Sequence, residues 1–276
     1  MAKRSMWKGF VSIAGLFNVP VKLITMREDK GLHPHMYRAS DMSRIKMPKT
    51  AEKDGKPVMD AEIVYGFDVA GGKEIVVLSK DERNAAKVES NHKIRIEKFV
   101  PVGNVDQMFF DSAYIILPDG MEDAYALLLQ AFSVRGMAGI GKITLRDKEY
   151  VAIIHAYNGG MVLSTLKYSD EIITPATIGE LQKLPAVDGN ALNMAISIID
   201  AMAGTFDLTQ YHDEAREKLL SVIDAKRRGE VITAPKAEVV AQPGDLMNAL
   251  KAALAVVEDQ KAATPAPKLE VAPRGV

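Results

Sequence analysis

The sequence has no cysteine, one tryptophan and only 6% aromatic residues among its 276 positions. Without cysteine there is no disulfide scaffold, no thiolate zinc site and no thiol nucleophile, and a reducing compartment is the expected home. No stretch comes near the ~20 successive apolar residues a membrane-spanning helix needs. The mildly apolar run 10–19 is interrupted at Asn18, followed by Pro20 and Lys22 and without a small-x-small cleavage pattern, so no signal peptide is expected. Charge of one sign is also missing overall: 35 basic side chains stand against 36 acidic ones.

What is present is unevenly placed. Residues 1–50 carry ten Lys or Arg against three acidic groups, while each of the four blocks of fifty from 51 to 250 is net negative and 251–276 carries +1. Between these cations lie His33, His35, Tyr37 and several methionines. Such a segment either tracks phosphates, gaining affinity by releasing condensed counterions, or is a solvated basic loop balanced by its neighbours. Composition alone does not separate the two.

Period-two patterning dominates the front of the chain. Trp7, Gly9, Val11, Ile13, Gly15, Phe17, Val19, Val21 and Leu23 share odd positions, which predicts one or two strands with one buried face. Residues 27–60 lose the pattern and become polar and basic, punctuated by Gly31, Pro34, Pro48, Gly55 and Pro57. A loop excursion of that length is more often functional than decorative. Strands are expected again at 74–78, 93–100 and 113–117, with a short helix starting on the capping residue Ser79 and Glu82. Residues 122–134 read as a buried helix. A meander follows at 142–146, 150–157 and 161–168, with Asn158-Gly159-Gly160 supplying a hairpin's positive φ angles. Helices are expected at 190–202 and 213–228, the second ending on Lys226, Arg227 and Arg228, where cations complement the helix dipole.

Past Val231 the composition shifts: five of the thirteen prolines fall in 234–276, with many alanines and no aromatic residue. This reads as a linker, one amphipathic helix starting at Asp245 after Pro243-Gly244, and a disordered tail. The helix must bury its stripe of Leu246, Leu250, Leu254 and Val257 either on its own domain or in a partner's groove.

Catalytic motifs are weak. Residues 136–142 spell GxxxxGK, but Ile143 stands where a magnesium-holding Ser or Thr belongs. The order of elements is also inverted, with a helix before and a strand after. A nucleotide-dependent enzyme or hydrolase using this loop is therefore the alternative reading, not the leading one. His33 and His35 lack a third metal ligand nearby. Ser5-x-x-Lys8 and Ser164-x-x-Lys167 match a Ser–Lys hydrolase string without its companion motifs. His155 reads as a core histidine and His212 as a capping neighbour. No acid–base or nucleophilic constellation emerges, so a binding protein is expected, with no cofactor and no metal.

Many ordered segments resemble bacterial Ku proteins. The opening Ser5-Met-Trp-Lys-Gly-Phe-Val-Ser-Ile-Ala-Gly-Leu-Phe-Asn-Val-Pro-Val-Lys22 is followed by His35 with Arg44-Ile45, Phe99-Val-Pro101 and Phe110-Asp-Ser-Ala-Tyr-Ile-Ile-Leu-Pro-Asp119. Gly141-Lys-Ile-Thr-Leu-Arg-Asp-Lys-Glu149, Thr165-Leu-Lys-Tyr-Ser-Asp-Glu-Ile172 and Phe206-Asp-Leu-Thr-Gln-Tyr-His-Asp213 come next, then Asp245-Leu-Met-Asn-Ala-Leu-Lys251, similar to that family's C-terminal motif. There are departures. Thr50-Ala-Glu-Lys-Asp-Gly55 stands where the family commonly has a CxxCG-like element, and Ile173 where arginine is usual, so the chain reads as a divergent member.

The resemblance implies an α+β fold. A Ku-like β-barrel core over 1–229 would carry a DNA-encircling bridge excursion over about 27–98. A linker over 230–244, a partner-binding helix over 245–260 and a disordered tail over 261–276 would follow. It further implies a cytoplasmic, nucleoid-associated homodimer that encircles double-stranded DNA ends and recruits the ATP-dependent DNA ligase D for non-homologous end joining. The expected phosphate contacts are Lys22, Arg27, His35, Arg38, Arg44, Lys46, Lys49, Lys53 and Lys56, with Lys93, Arg95 and Lys98 added from the strand at 93–100. The ligase would meet Leu246, Leu250, Leu254 and Val257.

Overall fold

The structure is a computed structural model. It describes residues 5–69, 71–72, 74–85, 92–146, 148–230 and 246–263, with side chains omitted at 80, 246 and 258–263. Two compact units divide at Thr174/Pro175.

In the first unit, β1 (Trp7–Ile13) and β2 (Phe17–Thr25) form the hairpin that the alternation predicts. Val11, Val19, Val21 and Leu23 are fully buried, as the odd-position rule requires, while Gly15 is spent on the turn and Phe17 stays exposed. The chain then leaves on its excursion, where β3 (Tyr65–Val69) and β4 (Glu74–Leu78) pair as a separate hairpin. The sequence reading passed over β3, because Gly66 and Asp68 are poor strand formers. The helix α1 (Lys80–Ala85) starts on a capping box: Glu82 N–H donates to Ser79 Oγ, and Ser79 N–H donates to Glu82 Oε2.

The remaining strands of this unit are β5 (Lys93–Pro101), β6 (Phe110–Pro118), β7 (Met137–Leu145), β8 (Lys148–Tyr157) and β9 (Gly160–Leu166). They close with the first hairpin into a seven-stranded barrel in the order β1-β2-β6-β9-β8-β7-β5, antiparallel except where β5 lies parallel to β1. Asn158 and Gly159, both at positive φ, make the two-residue turn between β8 and β9. Closure leaves the barrel no free edge.

Between β6 and β7, α2 (Glu122–Arg135) buries Leu128 and Phe132 against the barrel core of Ile94, Ile96, Ile116, Ile143, Ile154 and Leu163. The expectation of a buried helix holds for one face only, since Leu127 and Val134 are exposed. Tyr125 pins this helix: its hydroxyl donates to Ile116 O at 2.7 Å and accepts from Met161 N–H at 3.2 Å.

The string at 136–142 has a structural explanation. Gly136 caps α2 in the left-handed region, and Gly139 and Gly141 lie inside β7 where β5 crosses closely. No helix N-terminus follows them, so the phosphate-loop alternative is corrected to a helix cap and a tight strand crossing.

The second unit holds α3 (Gly189–Met202), α4 (Glu214–Arg227) and α5 (Leu246–Ala263). Asp188 caps α3 by accepting from Asn190 and Ala191 N–H, and Asp213, not His212, caps α4 by accepting from Arg216 N–H. Helix α5 lies against α3, with Leu250, Leu254 and Val257 half-buried. Its backbone runs on to Ala263. Asp245, the expected cap, all of the linker 230–244 except Glu230, and the tail from 264 onward lie outside the described residues.

Candidate nucleic-acid interface

The basic excursion is built from short, backbone-tied loops. Residues 36–45 fold back on themselves through the Tyr37–Arg44 bridge, with Ile45 N–H donating to Met36 O and Arg38 N–H to Ser43 O. A second such turn closes at Thr50 and Pro57. There Ala51 N–H donates to Lys56 O, Gly55 N–H to Ala51 O, and Asp54 accepts from Lys56 N–H. This hairpin occupies the stretch where cysteines were expected by resemblance, and backbone hydrogen bonds hold it instead. Among the described residues no group of three or more His, Cys, Asp or Glu could hold a metal ion. His33 is tied to Asp29 at 2.9 Å, while His35 Nδ1 meets Arg44 Nη2 at 3.1 Å, so the two histidines have different partners.

The cations here are exposed, and three of them pair with surface carboxylates: Arg38 with Asp41 at 3.5 Å, Lys49 with Asp60 at 2.8 Å, and Lys56 with Asp54 at 3.6 Å. Lys46 and Lys53 make no hydrogen bond or ion pair among the described residues. Exposed pairs are worth at most ~1 kcal/mol, so a phosphate can displace the carboxylates at little cost. At the root of the excursion, Arg27 Nη1 donates to Asp111 O at 3.1 Å.

A second group of cations lies on the barrel wall. Arg95 pairs with Lys142 across β5 and β7, and a bulge between Ile96 and Lys98 inserts one extra residue. That insertion returns Lys98 to the face that holds Lys93 and Arg95, while Ile94 and Ile96 stay buried. Strict alternation would have sent Lys98 to the opposite face. Lys142 thus joins the expected set, with Glu149 beside it at 2.8 Å raising its pKa.

On the other side of β1, Lys8 stands opposite Lys22, and both reach Asp119, at 3.0 and 3.4 Å. The Lys8 hydrogen bond, joined by Lys22, holds the Asp119 carboxyl below the ordinary aspartate range. Sequence reasoning missed Lys8. Its only signal was the register of the first hairpin, which sets 8 opposite 22. A lowered carboxylate pKa stabilises the fold fully above the unfolded value near 3.8 and is lost as pH falls through the folded value. Wild-type protein is therefore expected to melt slightly higher than Asp119→Asn at neutral pH, with the difference vanishing below about pH 3 in a pH series of thermal melts.

The family model described as the Ku70/Ku80 beta-barrel domain matches residues 13–194. The chain belongs to the Ku family. A protein named non-homologous end joining protein Ku from Archaeoglobus fulgidus is 34% identical over 92% of this chain and 100% of its own length. Its namesake from Frankia casuarinae is 35% identical over 91% of this chain and 63% of the longer relative. That from Bacillus subtilis is 29% identical, covering 98% and 88%. Among solved structures, the match to the SPOC domain of human PHD-finger protein 3 covers 59% of this chain and 95% of that domain, at 12% identity and a TM-score of 0.27.

Ku membership agrees with the closed barrel and with the mixed α+β content. No described helix of this Ku chain is long and apolar enough to cross a membrane.

Proposed function

We propose that this Ku-family chain binds double-stranded DNA ends without regard to sequence, as a ring-shaped homodimer acting in non-homologous end joining. The observation that carries the reading is a looped, cation-rich excursion springing from a closed barrel whose β5 wall adds Lys93, Arg95 and Lys98 on one face. These side chains would meet the sugar–phosphate backbone, which positions a duplex but carries no base information. The expected contacts remain Lys22, Arg27, His35, Arg38, Arg44, Lys46, Lys49, Lys53 and Lys56, with Lys93, Arg95 and Lys98. Two copies would close the ring, each contributing its excursion. This is binding rather than catalysis.

Recruitment of an ATP-dependent ligase is assigned to α5. Because that helix lies on α3 with Leu250, Leu254 and Val257 half-buried, a ligase that takes these side chains must draw α5 away.

The direct test is a triple variant, Arg44→Ala, Lys46→Ala and Lys53→Ala, titrated with linear duplex across a salt series. Each lost phosphate contact should reduce the slope of log K against log salt by about 0.9, close to three in all, equally on two unrelated sequences. An unchanged slope, or loss on one sequence alone, would contradict backbone tracking by these residues.

A further inference from the structure

At one end of the barrel a cavity of about 200 Å³ is lined by Asp111, Ser112, Tyr114, Arg146, Tyr150 and Thr165, among others. It sits beside an irregularity in β6: the pairing with β9 shifts register between Phe110 and Ala113. There Ser112 N–H, displaced from the strand ladder, donates to the buried Thr165 Oγ1 at 3.1 Å. Bulges of this kind re-aim side chains, and they are over-represented beside binding sites.

The chemistry of the lining is specific. Asp111 is already balanced, by Lys167 at 3.7 Å and by a hydrogen bond from Ser112 Oγ, and its carbonyl accepts from Arg27. The Arg146 guanidinium and the hydroxyl of Tyr114 make no hydrogen bond or ion pair among the described residues; the Tyr150 hydroxyl likewise has none, although Lys148 lies over its ring. The cavity therefore offers a planar cationic fork suited to phosphate, the aromatic ring of Tyr114 against which a base can rest, and the polar oxygens of Ser112 and Thr165 beside it. Arg146 itself is held at φ 50°, an uncommon conformation for a residue with a side chain, on the turn between β7 and β8.

We propose that this cavity receives a single unstacked nucleotide, its phosphate on Arg146 and its base against Tyr114. The inference rests on the DNA-end reading above, since Arg27 joins this cavity to the root of the basic excursion. The nucleotide's source is either the unpaired terminus of a broken duplex or a free mononucleotide.

The test uses the full chain with Arg146→Gly. Glycine suits a positive φ, so this variant removes the guanidinium without straining the turn. Wild type should favour a duplex with a short single-stranded overhang over the blunt duplex, and Arg146→Gly should lower overhang affinity roughly tenfold while blunt binding is kept. Titration with a free deoxynucleoside monophosphate is the second arm, and Arg146-dependent binding there supports the site with a free nucleotide as its occupant. If neither the overhang preference nor mononucleotide binding depends on Arg146, the site is refuted. Failure of the wild type to bind even blunt duplex would instead strike the end-binding reading itself.

Discussion

Linear duplex is expected to compete for this protein at least about a hundredfold better than a covalently closed circle of the same sequence. Phosphate contacts are the same on both molecules, so counterion release alone would give equal affinities. The difference follows from the proposed ring: a closed protein ring can be threaded only from an end, and a circle has none. Raising salt should widen the gap, because loose side-on binding to the circle is purely electrostatic, whereas a threaded ring must slide off through a terminus. The measurement is competition between a labelled linear fragment and unlabelled linear or relaxed circular DNA, with linearisation of the circle as the control. Equal competition would remove the ring and leave a simple basic groove.

Gly141→Ala carries the second large effect, on the fold. A methyl group added there would lie 1.9 Å from Arg95 O and 2.7 Å from its carbonyl carbon, both backbone atoms of the neighbouring strand. Neither can rotate away, so β5 and β7 must separate next to the bulge. Such overpacking costs about 3 kcal/mol, or a fall of roughly 10 °C in Tm for a domain of this size. Gly139→Ala should cost less, because its methyl would meet the flexible Ile96 side chain at 2.9 Å. DNA binding by Gly141→Ala should decline only as the folded fraction declines. If Gly141→Ala melts like wild type, the close crossing of β5 and β7 is wrong, and with it the face that unites Arg95, Lys98 and Lys142.

Much of the barrel was legible because a period of two survives wherever one face of a strand is buried. Val11, Val19, Val21 and Leu23 announce the first hairpin, Ile94 and Ile96 the fifth strand, and Asn158-Gly159 a turn that only residues tolerant of positive φ make easily. Where polar or small residues dilute that period, the reading failed. Gly66 and Asp68 concealed β3, and the glycines at 136, 139 and 141 drew attention to a phosphate loop when they serve a helix cap and a strand crossing. The candidate interface was legible as composition, a surplus of cations over residues 1–50, but not as a surface.

The amino-acid order by itself thus determined the family motifs, the main strands, the basic excursion and the absence of thiol chemistry, all carried by neighbours a few positions apart. Tertiary structure alone decided that Lys8 and Lys22 share Asp119 across a separation of about a hundred residues, that a single inserted residue restores Lys98 to the cationic wall, and that Arg146 and Tyr150 meet Asp111 around one cavity. These juxtapositions depend on strand register and on closure of the barrel. Both are settled by packing between distant segments, which no local periodicity records.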